Sequence, residues 1–361
     1  MSQGPVNENE IESRAKRRTE TDRVKWSTSP WIPQSKGVAI RRIDEQSLSL
    51  GMTFNAPVIM THHRLQHRPA LARKGSAAIL SWMDSDPRST RLRVERIRGR
   101  DRVVSMESRP PLKWLPVRDP LCAIAFLSGY GGGAVAGDRP RVEVEVGAGA
   151  RLWMGTQAHT RVFRNPDGLP TGQILTGRLE TGALCAHLPD PVVPQEGASW
   201  SQVSRWSLEA GSTLVVLESY TSGRDGFDPP FSYSGVESRL EVLGPDGAHI
   251  LLEANRSMPS EQAPASAAAF AGYSRTWNLF VCSPDPSVAM DGIVMELEEA
   301  FEPCAGVTEA LALAFGRSRS TTWFARALGS EAGSFDVLAA GLRRILASPS
   351  RLGTDPLARR P

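Results

Sequence analysis

Cysteine is scarce in this sequence: four residues in 361, at positions 122, 185, 282 and 304. They form no C-x-x-C pair that would grip zinc and no dense framework of the kind that staples a small secreted scaffold. Buried free thiols in a reducing compartment are therefore expected. Net charge is equally slight, because 42 Lys and Arg face 39 Asp and Glu, leaving +3. A basic stripe made for nucleic acid is excluded on that balance. No run of eighteen or more apolar residues occurs, and the opening "MSQGPVNENEIESRAKRRTE" has no apolar h-region. Neither a signal peptide nor a membrane span is expected, which places the chain in the cytoplasm. The motifs of common hydrolases are missing too, with no G-x-S-x-G, no H-E-x-x-H and no Cys/His pair in a recognisable setting.

What is present is a globular composition, 40% hydrophobic and 22% charged, with 32 glycines and 27 prolines as punctuation. Residues 1–35 are polar and charge-mixed and read as a mobile tail, because they bury too little to offset their ordering entropy. The body, 36–348, reads as one β-rich domain, followed by a flexible tail at 349–361. In "RVEVEV", Val142, Val144 and Val146 share one face and Glu143 and Glu145 the other. A weak repeat follows: "VEVGAGARL" around Glu145, "RLETGAL" around Glu180, "SLEAGSTL" around Glu209 and "RLEVLGPDGAHIL" around Glu241, spaced by 35, 29 and 32 residues. Each unit is an apolar strand, an acid, a glycine turn and another apolar strand, which reads as a hairpin. One hairpin cannot hide its apolar face, so the units are expected to stack into layered, β-helix-like sheets. Helical spacing is confined to the C-terminal part, at 291–303 and 334–348. The Ala-, Ser- and Pro-rich stretch 258–272 reads as an inserted surface loop.

The densest glycine cluster, "GYGGGA" at 129–134, formally fits G-x-G-x-x-G/A and follows an apolar strand. A dinucleotide site needs a helix next, since its first N–H groups hold the pyrophosphate. Here "AVAGDRPRVEVEV" follows, which Gly137, Pro140 and strict alternation forbid from being helical. A phosphate loop fails as well, because Asp138 stands where a lysine should meet the phosphates. Gly131, Gly132, Gly133 and Gly137 are therefore read as structural, placed where strands approach closely or φ is positive.

In order and at close spacing, the chain carries "GGGAVAGD" (131–138), "VEVEVGAGARL" (142–152) and "TQAHTRVFR" (156–164). Further on come "LPDPVVPQEGASW" (188–200), "LESYTSGRDGF" (217–227) and "TTWFARALGSEAGSFDVLAAGLRRIL". This compound pattern resembles the urease accessory protein UreD family, called UreH in some organisms, over roughly residues 50–348. Arg161 stands where that family usually has lysine, 225–235 has extra prolines, and 258–272 is additional. The resemblance implies a non-catalytic maturation scaffold with a β-rich fold. It implies a UreF-like partner, a UreG-like GTPase that binds the GTP, and docking on the urease apoprotein during nickel insertion. No cofactor of its own is implied, only transient nickel in an internal passage. The rival readings are a carboxylate-dependent hydrolase and a generic β-rich binding module.

A passage must hold nickel weakly enough to release it, so isolated acids suit it better than a closed ligand set. Asp138 and Glu196, inside matched motifs, are the candidates, and His159 in "TQAHTRVF" is a third, alternating with Gln157 and Arg161 on one expected strand face that could line the passage or meet a partner. For partner binding, aromatics and arginines form the best anchors. Arg161, Phe163 and Arg164 are candidates from one segment, and Arg224, Phe227, Phe231 and Tyr233 from the loop "SGRDGFDPPFSY". Leu338 and Leu342, on the apolar stripe of the last helix, are assigned to the UreF-like partner. His62, His63 and His67 in "THHRLQHRP" form a tempting metal cluster, but Pro69 and the lack of an acidic companion favour a polar loop.

Overall fold

The computed structural model describes residues 88–264, 266, 269–285 and 288–355. His62, His63, His67 and the whole N-terminal stretch before residue 88 lie outside them. The described chain opens with two antiparallel pairs, β1 (Thr90–Ile97) with β2 (Arg100–Glu107), then β3 (Leu112–Val117) with β4 (Ala123–Gly129). There follow β5 (Arg141–Val146), β6 (Arg151–Thr156), β7 (Thr160–Val162), β8 (Gly172–Leu179), β9 (Leu184–His187), β10 (Val192–Pro194), β11 (Ser199–Leu208) and β12 (Thr213–Thr221). Strands β13 (Gly235–Leu243) and β14 (His249–Ser257) precede β15 (Arg275–Cys282) and helix α1 (Val288–Phe301). The chain closes with β16 (Gly306–Val307), β17 (Leu311–Arg319), β18 (Thr322–Gly329) and helix α2 (Asp336–Leu346).

The strands form two layers. An outer sheet of seven runs β14-β13-β11-β8-β5-β1-β2, and a middle sheet of eleven runs β16-β17-β18-β15-β12-β9-β6-β4-β3, extended by β10 and β7. From β5 to β13 the chain alternates between sheets, and each return lands beside the previous strand in parallel, so that Val142, Leu175, Ser204 and Leu240 stand in line. This is the layered, β-helix-like stacking that the repeat implies.

The hairpin part of that expectation holds only for the fourth unit, where β13 and β14 pair antiparallel. In the other three, the strands flanking the turn pair in different sheets: β5 with β1 and β8, β6 with β4 and β9. The turn is an arch rather than a hairpin, and its unpaired backbone groups bond to the next arch. Gly149 N–H donates to the Thr181 carbonyl at 2.9 Å and Gly182 N–H to the Ala210 carbonyl at 3.0 Å. Gly149, Gly182 and Gly211 sit at φ between +63° and +68°, a corner that glycine turns without steric cost.

The inner faces of the two sheets meet in one core, with Leu92, Val144, Leu152, Met154, Leu179, Trp206, Val216 and Phe280 fully buried. The other face of the middle sheet is covered by α1 and α2 in a second core containing Ile124, Trp277, Leu297, Phe301, Trp323 and Leu346. With both faces covered, β15 is buried at all eight positions, and its sequence RTWNLFVC shows correspondingly little alternation. The outer sheet keeps a wet face of ion pairs, including Arg91 with Glu143 at 2.9 Å and Arg205 with Glu241 at 2.8 Å.

The expected helices at 291–303 and 334–348 are present as α1 and α2, with Pro303 in a short 3-10 turn that ends the first. The C-terminal segment expected to be a free tail is packed as far as it is described. Leu352 is fully buried, and Arg351 is buried, with two charge-assisted bonds to Glu296 at 2.6 and 3.1 Å. Two such anchors offset the ordering of a short segment. No helix among the described residues is long and apolar enough to cross a membrane.

Candidate functional site

The space between the sheets changes character along the strands. One layer is apolar apart from one imidazole, with Met154, His187, Val216, Phe280 and Trp206. Trp206 lies flat over Gly177, directly opposite in register, where a Cβ would fall 2.1 Å from the indole. Two positions farther along the strands, the inward side chains become polar. The middle sheet contributes Glu218, Asn278 and Arg326, in register across β12, β15 and β18, and the outer sheet contributes Gln202, Ser204, Ser238, Glu253 and Asn255. Beyond this belt the interior turns aromatic, with Trp200, Tyr220, Tyr233 and Phe270.

Glu218 is 5% exposed. It accepts from Gln202 Nε2 at 3.4 Å and from Ser238 Oγ at 3.3 Å, while Asn255 Nδ2 donates to Ser238 Oγ at 3.4 Å. These long bonds from neutral donors leave the carboxylate weakly solvated. Burial, with the negative charge of Glu253 adding to it, pushes the Glu218 carboxyl up to about 7, against the pull of Ser238, Gln202 and Arg326. Glu253 has a charged partner instead, because both its oxygens accept from the Arg326 guanidinium at 2.7 Å. One layer back, burial drives the His187 imidazole down to about 4, and its Nδ1 has no hydrogen-bond partner among the described residues. Along β14 the inward row runs Glu253, Asn255, Ser257, and Ser257 bonds the Tyr233 hydroxyl at 2.7 Å. That row ends at a cavity of about 10 Å³ lined by Ser257, Met258 and Phe270, about the space of one water.

The belt offers carboxylate, amide and hydroxyl oxygens around two buried carboxylates, a donor set of the kind that holds a divalent cation loosely and replaces part of its water. Among the described residues, no three His, Cys, Asp or Glu side chains converge as a metal-holding group.

The sequence candidates fall elsewhere. Asp138 closes its own glycine loop, its carboxylate accepting from Val135 N–H at 2.9 Å and its backbone N–H donating to the Val135 carbonyl. Glu196 is exposed on a turn, and its backbone N–H helps hold the Asp228 carboxylate. His159 is exposed in the link just before β7, not on a strand face as its alternation with Gln157 and Arg161 suggested. The glycine loop is structural in detail: Gly132 and Gly137 have φ of +73° and +89°, and a Cβ on Gly133 would meet the Arg161 carbonyl at 2.7 Å and the Phe163 ring at 2.8 Å.

Arg161 and Arg164 are exposed and Phe163 is half-buried. In the 222–233 loop, Phe227 is 80% exposed beneath the Arg224 guanidinium, 5.4 Å from the ring centre. Arg224 forks onto Asp228 at 2.8 and 2.9 Å, and Asp225 pairs with Arg275, so the loop is held in place. Phe231 and Tyr233 do not share this exposure. Phe231 packs on Phe270 with centroids 4.7 Å apart, and Tyr233 is buried. Leu338 and Leu342 are likewise fully buried, used by the core under the middle sheet rather than presented to a partner, while Val337 on the same helix is 65% exposed.

Glu218, Glu253, Arg326 and His187 were not singled out from sequence. The available signal was polarity at inward positions of an otherwise apolar alternation, as in Leu214, Val216, Glu218, Tyr220.

A family model described as UreD urease accessory protein matches residues 88–360. The chain is 35% identical over 175 residues to a protein named urease accessory protein UreD from Anaeromyxobacter sp. (strain Fw109-5), covering 48% of this chain and 58% of that relative. It is 33% identical over 169 residues to one of the same name from Sorangium cellulosum (strain So ce56), covering 46% and 53%. A third, from Cytophaga hutchinsonii, is 27% identical over 216 residues, covering 60% and 75%. The chain thus spans little more than half the length of the first two relatives.

Proposed function

This chain belongs to the UreD family of urease accessory proteins, and from that membership we propose that it is a non-catalytic scaffold for urease maturation, handing nickel toward the urease apoprotein through its own interior. The observation that carries the passage is the polar belt between the sheets: buried Glu218 and Glu253 with amide and hydroxyl neighbours, lying between an apolar layer and an aromatic one. A buried carboxylate held only by long bonds to neutral donors costs stability, and a cation in transit supplies the missing charge. On this reading the chain has no cofactor of its own, and nickel is its cargo.

The partners are a UreF-like protein, and through it a UreG-like GTPase that binds the GTP. Phe227, presented bare on a loop braced by two ion pairs, is the best-formed anchor for the first of these, with Arg224, Arg161 and Arg164 as flanking charge. The test is complementation. Expressed in a strain lacking its own UreD, the chain restores urease activity and urease nickel content, and pull-downs recover the UreF-like and UreG-like proteins; failure to restore either readout rejects the assignment.

A further inference from the structure

The belt contains a cation of its own. Arg326 projects from β18 in the middle sheet and clamps Glu253 on β14 of the outer sheet, with Nη1 and Nη2 each donating at 2.7 Å to one carboxylate oxygen. Its guanidinium carbon also lies 5.5 Å from the ring centre of Phe280 and 5.7 Å from that of Phe324. The two ends of the pair differ in freedom: the Glu253 side chain is 1% exposed and the Arg326 side chain 24%. Glu218, across the same space, has neutral partners and lies close enough to both charges to feel them.

Resting on the reading of the belt as a cation passage, we propose that Arg326 is its lock, a tethered counter-charge occupying the carboxylate that an arriving divalent cation must use. With both Glu253 oxygens taken by a guanidinium fork, an incoming ion meets a positive charge where it needs a ligand, and beside a carboxylate buried to 1% exposure that repulsion is screened less than at the surface. Entry requires Arg326 to leave Glu253. Glu253 is buried and cannot follow, whereas the Arg326 side chain is partly exposed and keeps contact with the Phe280 and Phe324 rings, which stabilise a cation without an anion. The ion then bridges Glu253 and Glu218, and the return of the guanidinium to Glu253 expels it. No bond is made or broken in the cycle; one positive group replaces another.

The experiment is equilibrium dialysis with Ni²⁺ alone on the full chain, in a background in which His62, His63 and His67 are alanine so that these imidazoles do not contribute. Circular dichroism melts establish that each variant is folded. The lock predicts that R326Q binds Ni²⁺ at least about tenfold more tightly than the parent, the scale expected when one charge of a close pair is removed, and that E218Q binds at least about tenfold more weakly. R326K, which keeps the charge but loses the fork, serves if R326Q does not fold and is expected to bind more tightly than the parent by a smaller factor. Weakened binding in E218Q with unchanged affinity in the folded Arg326 variants overturns the lock and leaves the passage standing. Unchanged affinity in E218Q itself overturns the passage.

Discussion

Glu218 stores its burial as proton affinity. In the folded chain its carboxyl titrates near 7, so between the ordinary carboxylate range and that value the fold keeps a proton that the unfolded chain has released. Stability contributed by this group is therefore greatest in acid and is lost as pH rises toward 7. His187 acts in the opposite sense: held near 4 by burial, it is neutral in the fold where the unfolded chain is protonated, and stability falls as pH drops from about 6.5. E218Q is expected to be more stable than the parent by roughly 2–3 kcal/mol at pH 8, with the gap nearly closed at pH 5. Guanidinium denaturation at both values measures this, and a gap independent of pH would contradict it. A steric prediction belongs to the same scale. G177A drives a methyl into the indole of Trp206, a fully buried side chain, and should cost about 2 kcal/mol or more, read as a lower denaturation midpoint with an unchanged slope.

The 222–233 loop and the 258–272 segment meet through aromatic rings but use them differently. Phe270 is fully buried and packs edge-on against Tyr220 and at a tilt against Phe231, so F270A should cost about 3–5 kcal/mol. Phe227 packs on little besides Arg224, so F227A should leave stability within about 0.5 kcal/mol while weakening capture of a UreF-like protein about tenfold or more. Denaturation paired with pull-down separates the two, and loss of stability in F227A would end its reading as an anchor. Sequence composition marked 258–272 as a surface loop and could not show its anchor, because Phe270 is a single aromatic in an alanine-rich stretch. Strands and both helices were legible from periodicity. The arches were not: an acid, a glycine corner and two apolar flanks are common to a hairpin and to a strand that changes sheets, and only pairing distinguishes them. Leu338 and Leu342 show the same limit. An amphipathic stripe reveals that one face is covered but not by what, and here it is the protein's own core.

For the whole molecule, the layered architecture is what makes a buried polar belt possible. Coiled parallel strands align residues in rows, so one polar position per turn accumulates into a layer crossing the core, as Gln202 and Ser238 do in register opposite Glu218. The family pattern in the sequence pointed to the right kind of protein, and its motif "LESYTSGRDGF" contains Glu218. Motif density nevertheless drew attention to Asp138 and Glu196, which serve turns, because glycine and proline mark corners more plainly than an inward-facing acid marks a core. The most direct test of the central claim is the nickel content of urease purified from a UreD-deficient strain complemented with E218Q, with partner capture verified by pull-down. The account predicts intact capture with nickel content reduced about tenfold, the scale of a lost charged ligand, while wild-type nickel content in that folded, partner-bound variant would contradict it.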